Sequence, residues 1–291
     1  MSNNYLKNPF ELPCGVTIKN RLVKSAMTER MSDKNLEPTE KHHHLYKNWA
    51  QTGAGLLITG NVMIDPVHRE SAGNVYVGED TILPKLKAWA EFATQNDTQA
   101  WVQISHSGRQ TSRFLTARPL APSEVQLHKM GLFGKPRAMT EENIQELIRR
   151  FVTSAQRCQA AGFTGIQFHS AHGYLLSQFL SPITNLRKDK WGGNIENRSR
   201  LLLTIVEETR KAVGANFPIS VKLNSSDFQR GGFTEAESLQ VIEMLEGKID
   251  LLEISGGTYE KLAFFEGIDG VKDSTKQREA YFIEFATKLR A

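Results

Sequence analysis

The chain has 291 residues, of which 40% are hydrophobic and 23% charged, so it can bury a large core and is neither disordered nor low in complexity. Lys and Arg total 36 against 32 Asp and Glu, a formal charge of +4 with no basic cluster, which argues against nucleic acid or an anionic membrane surface as partner. Cys14 and Cys158 are too few for a disulfide framework, no leader follows Met1 and no apolar run is long enough to span a bilayer, so the expectation is a cytoplasmic protein.

Short runs rich in β-formers alternate with helical patterns along the whole chain. In order, the spacing predicts a strand at residues 21–26, a helix at 39–51, a strand at 55–60 and a helix at 81–94. It continues with a strand at 100–105, a helix at 140–161, a strand at 164–169 and a helix at 197–213. The last elements are a strand at 217–223, a helix at 234–246, a strand at 250–254 and a helix at 278–290. Residues 56–59, 165–168 and 251–254 are almost continuously apolar, as strands covered on both faces are. Thr140 before Glu141 and Glu142, and Thr234 before Glu235 and Glu237, read as helix N-termini with early acids.

Strand and helix repeat six times without a linker, which implies one domain over residues 1–291 with a parallel sheet. A doubly wound open sheet and a barrel both fit that alternation. No Gly-x-Gly-x-x-Gly follows the first strand, and the polar residues gather just after strand C-termini. Both facts favour an α/β fold of the (β/α)8 TIM-barrel type, with about six of the eight units in this chain.

The richest segment follows the fourth strand. His169, His172 and Tyr174 converge there, offering two imidazoles that could hold a carbonyl oxygen and a phenol that could deliver a proton. Two other readings of the segment stay open: side chains satisfied in a buried loop, or a metal site on His-x-x-His. No third carboxylate or histidine follows at a typical ligand interval. Lys222 lies inside an apolar strand, so it must pair or face a ligand. Residues 185–198 mix both charges with Trp191 and Gly192-Gly193, and read as a structural brace pinned by ion pairs. His42, His43 and His44 point in different directions on a helix and read as a solvated face rather than a metal site.

At these residues the chain resembles the Old Yellow Enzyme family, the FMN-dependent NADH:flavin oxidoreductases, from about Leu12 onward. The most specific stretch begins at His169 with His-Ser-Ala-His-Gly-Tyr-Leu-Leu-Ser-Gln-Phe-Leu-Ser-Pro. It continues with Asn-Leu-Arg, Trp-Gly-Gly and Glu-Asn-Arg-Ser-Arg. Asn20-Arg21, Ser25 to Thr28, Gly55 to Asn61 and Gln103 with Gly108-Arg109 fall in order around it.

The resemblance implies roles. Ser25, Ala26, Met27 and Thr28 would line the FMN ring, with Thr28 near its C4 carbonyl. Gly60 and Asn61 would approach the ring, Gln103 would bond its pyrimidine edge, and Lys222 would stand near N1 and the C2 carbonyl. Many relatives carry Arg at that last place, so a single ammonium replaces a planar fork. His169 and His172 would grip the substrate's activating oxygen, and Tyr174 would be the proton donor. NADH or NADPH would reduce the flavin, which would then reduce the C=C bond of an α,β-unsaturated carbonyl compound. The expected partner is that small-molecule alkene, with no nucleic acid, membrane or resident metal; a homo-oligomer is compatible with this.

Members of the family continue through two further strand–helix units that hold the FMN phosphate. Residues 1–291 lack units seven and eight, and Gly256-Gly257 cannot be assumed to replace them. FMN binding that is weak or absent in the isolated chain and exposed sheet edges are the expected consequences. The rival functional readings are a truncated, catalytically silent fragment and a metal-dependent barrel hydrolase using His169 and His172.

Overall fold

The computed structural model describes residues 5–78, 83–258 and 273–289. Residues 81 and 82 of the expected second helix, and residue 290 of the last, lie outside the described residues. Among these described residues six strands form the main sheet: β1 (Val23–Lys24), β2 (Leu56–Met63), β3 (Gln99–Ser105), β4 (Gly165–Ser170), β5 (Ile219–Asn224) and β6 (Leu251–Ser255). The helices are α1 (Glu40–Gln51), α2 (Leu83–Ala93), α3 (Glu141–Ala160), α4 (Leu175–Leu180), α5 (Ile195–Val213), α6 (Glu235–Leu245) and α7 (Asp273–Lys288).

All five pairings are parallel, and the spatial order β6-β5-β4-β3-β2-β1 is the chain order. A doubly wound sheet reverses its strand order partway, whereas this one never does, so the sheet is a curled section of a TIM barrel. Its outer face packs on the helices through Trp89, Phe151, Phe163 and Phe168. A second, smaller core lies inside the curl. There a hairpin of Phe10–Glu11 and Thr17–Ile18 sets Leu12 and Ile18 against Leu56, Ile58 and Trp101, closing the end where the strands begin. Gly165 makes this possible, because a Cβ there would stand 2.6 Å from the Trp101 indole.

Caps place the helix starts. Thr140 and Thr234 each accept the backbone N–H three residues on, and Asn194 does the same for Asn197, so α5 starts two residues earlier than its apolar pattern indicated. Strand β1 is shorter than expected. Strand β2 runs three residues past the expected end, with a bulge between Ile58 and Asn61. Strands β2, β4 and β5 are wholly buried, whereas every residue of β6 is partly exposed, since among the described residues no further strand covers that edge.

The histidine run departs from expectation. His42 is buried beside the Trp89 ring, with its Nδ1 accepting the Thr39 N–H, and His43 stacks on Phe92; only His44 faces solvent. Successive helical positions turn by about 100°, so three in a row spread over roughly 200° of the helix, and here that spread carries His42 onto the buried face. Burial pushes the His42 imidazole down to about 4.

Candidate functional site

The C-terminal ends of the strands carry a polar layer on the concave face of the sheet. Gln103 on β3 and Gln167 on β4 are register partners, as are His169 on β4 and Lys222 on β5, and Lys222 and Glu253 on β6. One chain of hydrogen bonds runs toward the first strand. Gln103 Nε2 donates to Asn61 Oδ1 at 2.7 Å, Asn61 Nδ2 donates to Glu70 Oε2 at 2.7 Å, and the Thr28 hydroxyl donates to the same oxygen at 2.9 Å. The other carbonyl function of this set, Gln103 Oε1, is buried with no partner.

A second set runs toward β6. Lys222 Nζ lies 2.9 Å from Glu253 Oε1, and Gln167 Nε2 donates to Glu253 Oε2 at 2.9 Å. Lys222 therefore meets the sequence expectation of a paired charge, and its partner is one the sequence reading did not name.

The loop after β4 brings the imidazoles and the phenol together. The His169 ring lies 5.1 Å from the His172 ring and 4.6 Å from that of Tyr174; His169 and Tyr174 are buried and His172 is partly buried. His169 Nδ1 accepts the Ala171 N–H at 3.3 Å, which leaves the ring proton on Nε2. His172 sits in the left-handed region at φ +59° and is held from three sides. Its N–H donates to Asn224 Oδ1, its carbonyl accepts from Gln110 Nε2, and its Nε2 lies 2.6 Å from Ser255 Oγ. Burial, helped by the Lys222 charge, pushes His172 down to about 3 and holds His169 well below the usual imidazole range. Both rings are neutral at pH 7 and act as hydrogen-bonding groups rather than cations.

The remaining sequence candidates lie at the other end of the layer. Ser25 and Met27 are exposed, and Ala26 packs against the small inner core. Gly60 approaches the segment after β1 so closely that a Cβ would stand 2.4 Å from the Met27 carbonyl oxygen. Its N–H is taken by Glu29 Oε1 at 3.0 Å, a carboxylate that also accepts from the Tyr46 hydroxyl.

Among the described residues one group of side chains has ligand atoms close enough for a metal, and it is not the pair foreseen. Asp65, His68 and His106 lie buried with those atoms within 4.8 Å of one another. Their geometry argues against ligation. The two rings stack at 4.7 Å with planes 25° apart, so their in-plane lone pairs run side by side instead of converging. His68 Nε2 accepts the Leu120 N–H and His106 Nδ1 the Gly108 N–H, each at 3.0 Å, which leaves the proton on the other nitrogen of both rings. Arg150 Nη1 stands 2.6 Å from Asp65 Oδ2. This is a carboxylate ringed by donors that fixes the loop after β2. Burial alone would raise Asp65, but His68, His106 and backbone N–H groups outweigh it and hold the carboxyl low.

The sequence profile of the NADH:flavin oxidoreductase / NADH oxidase family matches residues 6–284. The NADH-dependent flavin oxidoreductase iccE of Talaromyces variabilis is 33% identical over 100% of this chain and 75% of its own length. Across four such fungal oxidoreductases the chain spans between 41% and 77% of the relative's length. A 2-naphthoyl-CoA reductase structure in complex with 2-naphthoyl-CoA superposes with a TM-score of 0.85 at 27% identity, covering 88% of this chain and 41% of that one. The old yellow enzyme homologue of Zymomonas mobilis shares the fold, with a TM-score of 0.80 at 24% identity over 86% of this chain and 73% of that one. The chain belongs to the NADH:flavin oxidoreductase / NADH oxidase family, the Old Yellow Enzyme flavoproteins, a family of oxidoreductases whose cofactor is FMN and whose reductant is NADH or NADPH.

Proposed function

We propose that this chain is the FMN- and substrate-binding part of an NAD(P)H oxidoreductase that reduces the C=C bond of α,β-unsaturated carbonyl compounds. The observation that carries the reading is the meeting of His169, His172 and Tyr174 beside a polar layer containing an unsatisfied buried acceptor, Gln103 Oε1, and an ammonium, Lys222. That donor set suits a flavin. The imide N–H of a pyrimidine ring would meet the open Gln103 oxygen, and its neighbouring carbonyl would meet Lys222. Thr28, Gly60 and Asn61 would border the ring on the β1–β2 side, with Ser25, Ala26 and Met27 in the segment that follows β1.

FMN, when bound, supplies the hydride chemistry: two-electron reduction by NADH or NADPH, then hydride donation to the β-carbon of the alkene. The chain's residues do the rest. The Nε2–H of His169 donates to the substrate carbonyl, with His172 as the second imidazole of the grip, and so polarises the conjugated double bond. Tyr174 delivers the proton to the α-carbon and regains one from solvent. Neutral imidazoles suit this role, because they polarise the carbonyl without giving up a proton at pH 7. Unpaired Cys14 and Cys158 favour a cytoplasmic setting.

The test is anaerobic turnover of cyclohexenone by the purified chain with added FMN and NADPH, following the saturated ketone. Product formation with one NADPH consumed per ketone is expected. A folded chain that takes up FMN and is reduced by NADPH but yields no ketone would overturn the substrate reading.

A further inference from the structure

Lys222 and Glu253 are each the single charged residue of a strand that is otherwise apolar or neutral, and they face each other in register across the β5–β6 pair. Their side chains are only 9% and 21% exposed, so solvent screens the pair weakly. Both carboxylate oxygens are committed: Oε1 to the Lys222 ammonium, Oε2 to the Gln167 amide, whose Nε2 also lies 3.2 Å from Ser220 Oγ. The carboxylate is thus held in place by two neighbouring strands. Its charge is felt further off as well. Burial pushes Lys24 down to about 8, with Glu29 and Glu253 opposing that shift and Lys222 adding to it.

This arrangement bears on any ligand whose charge changes during turnover. Hydride transfer from NADH brings two electrons and one proton to a flavin and leaves it one unit more negative. An unpaired ammonium beside the pyrimidine carbonyl would favour that reduced form strongly in a partly buried site. A carboxylate 2.9 Å from the ammonium cancels much of the attraction.

We propose that Glu253 is a positioning residue that acts through Lys222, holding the ammonium toward the cofactor and lowering the flavin's reduction potential by neutralising its charge. The proposal rests on the FMN reading above. It makes the site a weaker electron acceptor and a stronger hydride donor than Lys222 alone would.

The experiment is anaerobic titration of the chain with oxidised FMN and with dithionite-reduced FMN, giving the ratio of the two dissociation constants, for wild type and for Glu253→Gln, Lys222→Met and the double variant Lys222→Met/Glu253→Met. Glu253→Gln is expected to favour reduced over oxidised FMN by about tenfold more than wild type, an upward shift of ~30 mV for a two-electron couple. Lys222→Met is expected to move the ratio the other way, and the double variant to return within about threefold of wild type, since Coulomb terms of opposite sign cancel. A purely structural role would change affinity for both forms together and leave the ratio fixed. An unchanged or lowered ratio in Glu253→Gln overturns the proposal. Should that variant fail to fold, a double variant whose ratio falls as far as that of Lys222→Met overturns it equally. A wild-type chain that binds neither form even with FMN in large excess, enough to offset the missing phosphate contacts, defeats the flavin reading, and the proposal with it.

Discussion

Tyr174 carries the sharpest chemical expectation in the molecule. Its ring packs edge-on against His169 at 4.6 Å, and phenylalanine would keep that contact while removing the proton. Tyr174→Phe is expected to slow alkene-dependent flavin reoxidation by about 10²–10⁴-fold, the usual reach of general acid catalysis, and to spare reduction by NADPH. Stopped-flow measurement of each half-reaction checks this, and equal slowing of both removes the assigned role. At this scale the sequence was informative where chemistry concentrates in one segment, as it does from His169 to Tyr174. It was less so where a residue matters through its register. Glu253 interrupts the apolar run of Leu251, Leu252 and Ile254 as plainly as Lys222 interrupts its own strand. The two form a pair only once β5 and β6 are known to be neighbours. Glu70, which gathers Thr28 and Asn61, lies in a loop with no periodicity to mark it.

The elements hold the site through their connections. The loop between α4 and α5 is the expected brace. Arg187 pairs with Asp189, Lys190 with Glu141, and the Trp191 indole donates to the same Glu141 at 2.6 Å. Arg198, only 4% exposed, donates to the Leu180 and Gly193 carbonyls and pairs with Glu237, tying α5 to both α4 and α6. Arg198→Met removes the buried guanidinium from the Leu180 carbonyl and the Glu237 carboxylate, and urea unfolding is expected to show a loss of about 3 kcal/mol. A loss below about 0.5 kcal/mol, the range of ordinary surface changes, would contradict this. All six main strands and six of the seven helices were legible, because apolar periodicity and caps mark them. Helix α4 was not: its six residues, Leu-Leu-Ser-Gln-Phe-Leu, are all buried and so show no polar face. The hairpin under the barrel was missed for a different reason. Each of its strands is two residues long, too short for alternation to register.

For the whole molecule, sequential strand order is what turns scattered polar residues into one site, since it sets the C-terminal ends of all six strands along one rim. Burial of neutral histidines in that rim and beneath the helices also shapes stability. His42 is pushed to about 4 and His106 and His172 to about 3, so below pH 6.5 the unfolded chain binds protons that the folded one does not. Stability is therefore complete above that point and is lost as pH falls toward 3. Thermal melts are expected to be level from pH 7 to 8 and to drop progressively below pH 6; a melting temperature that holds steady from pH 7 to 4 would contradict the burial of these rings. The most direct test of the site itself is a crystal structure of the chain grown with excess FMN. The expected result is an isoalloxazine with its imide N–H on Gln103 Oε1, its pyrimidine carbonyl near Lys222, and His169, His172 and Tyr174 facing one side of the ring. A flavin bound elsewhere, or one turned with its dimethylbenzene end toward Gln103 and Lys222, would contradict it.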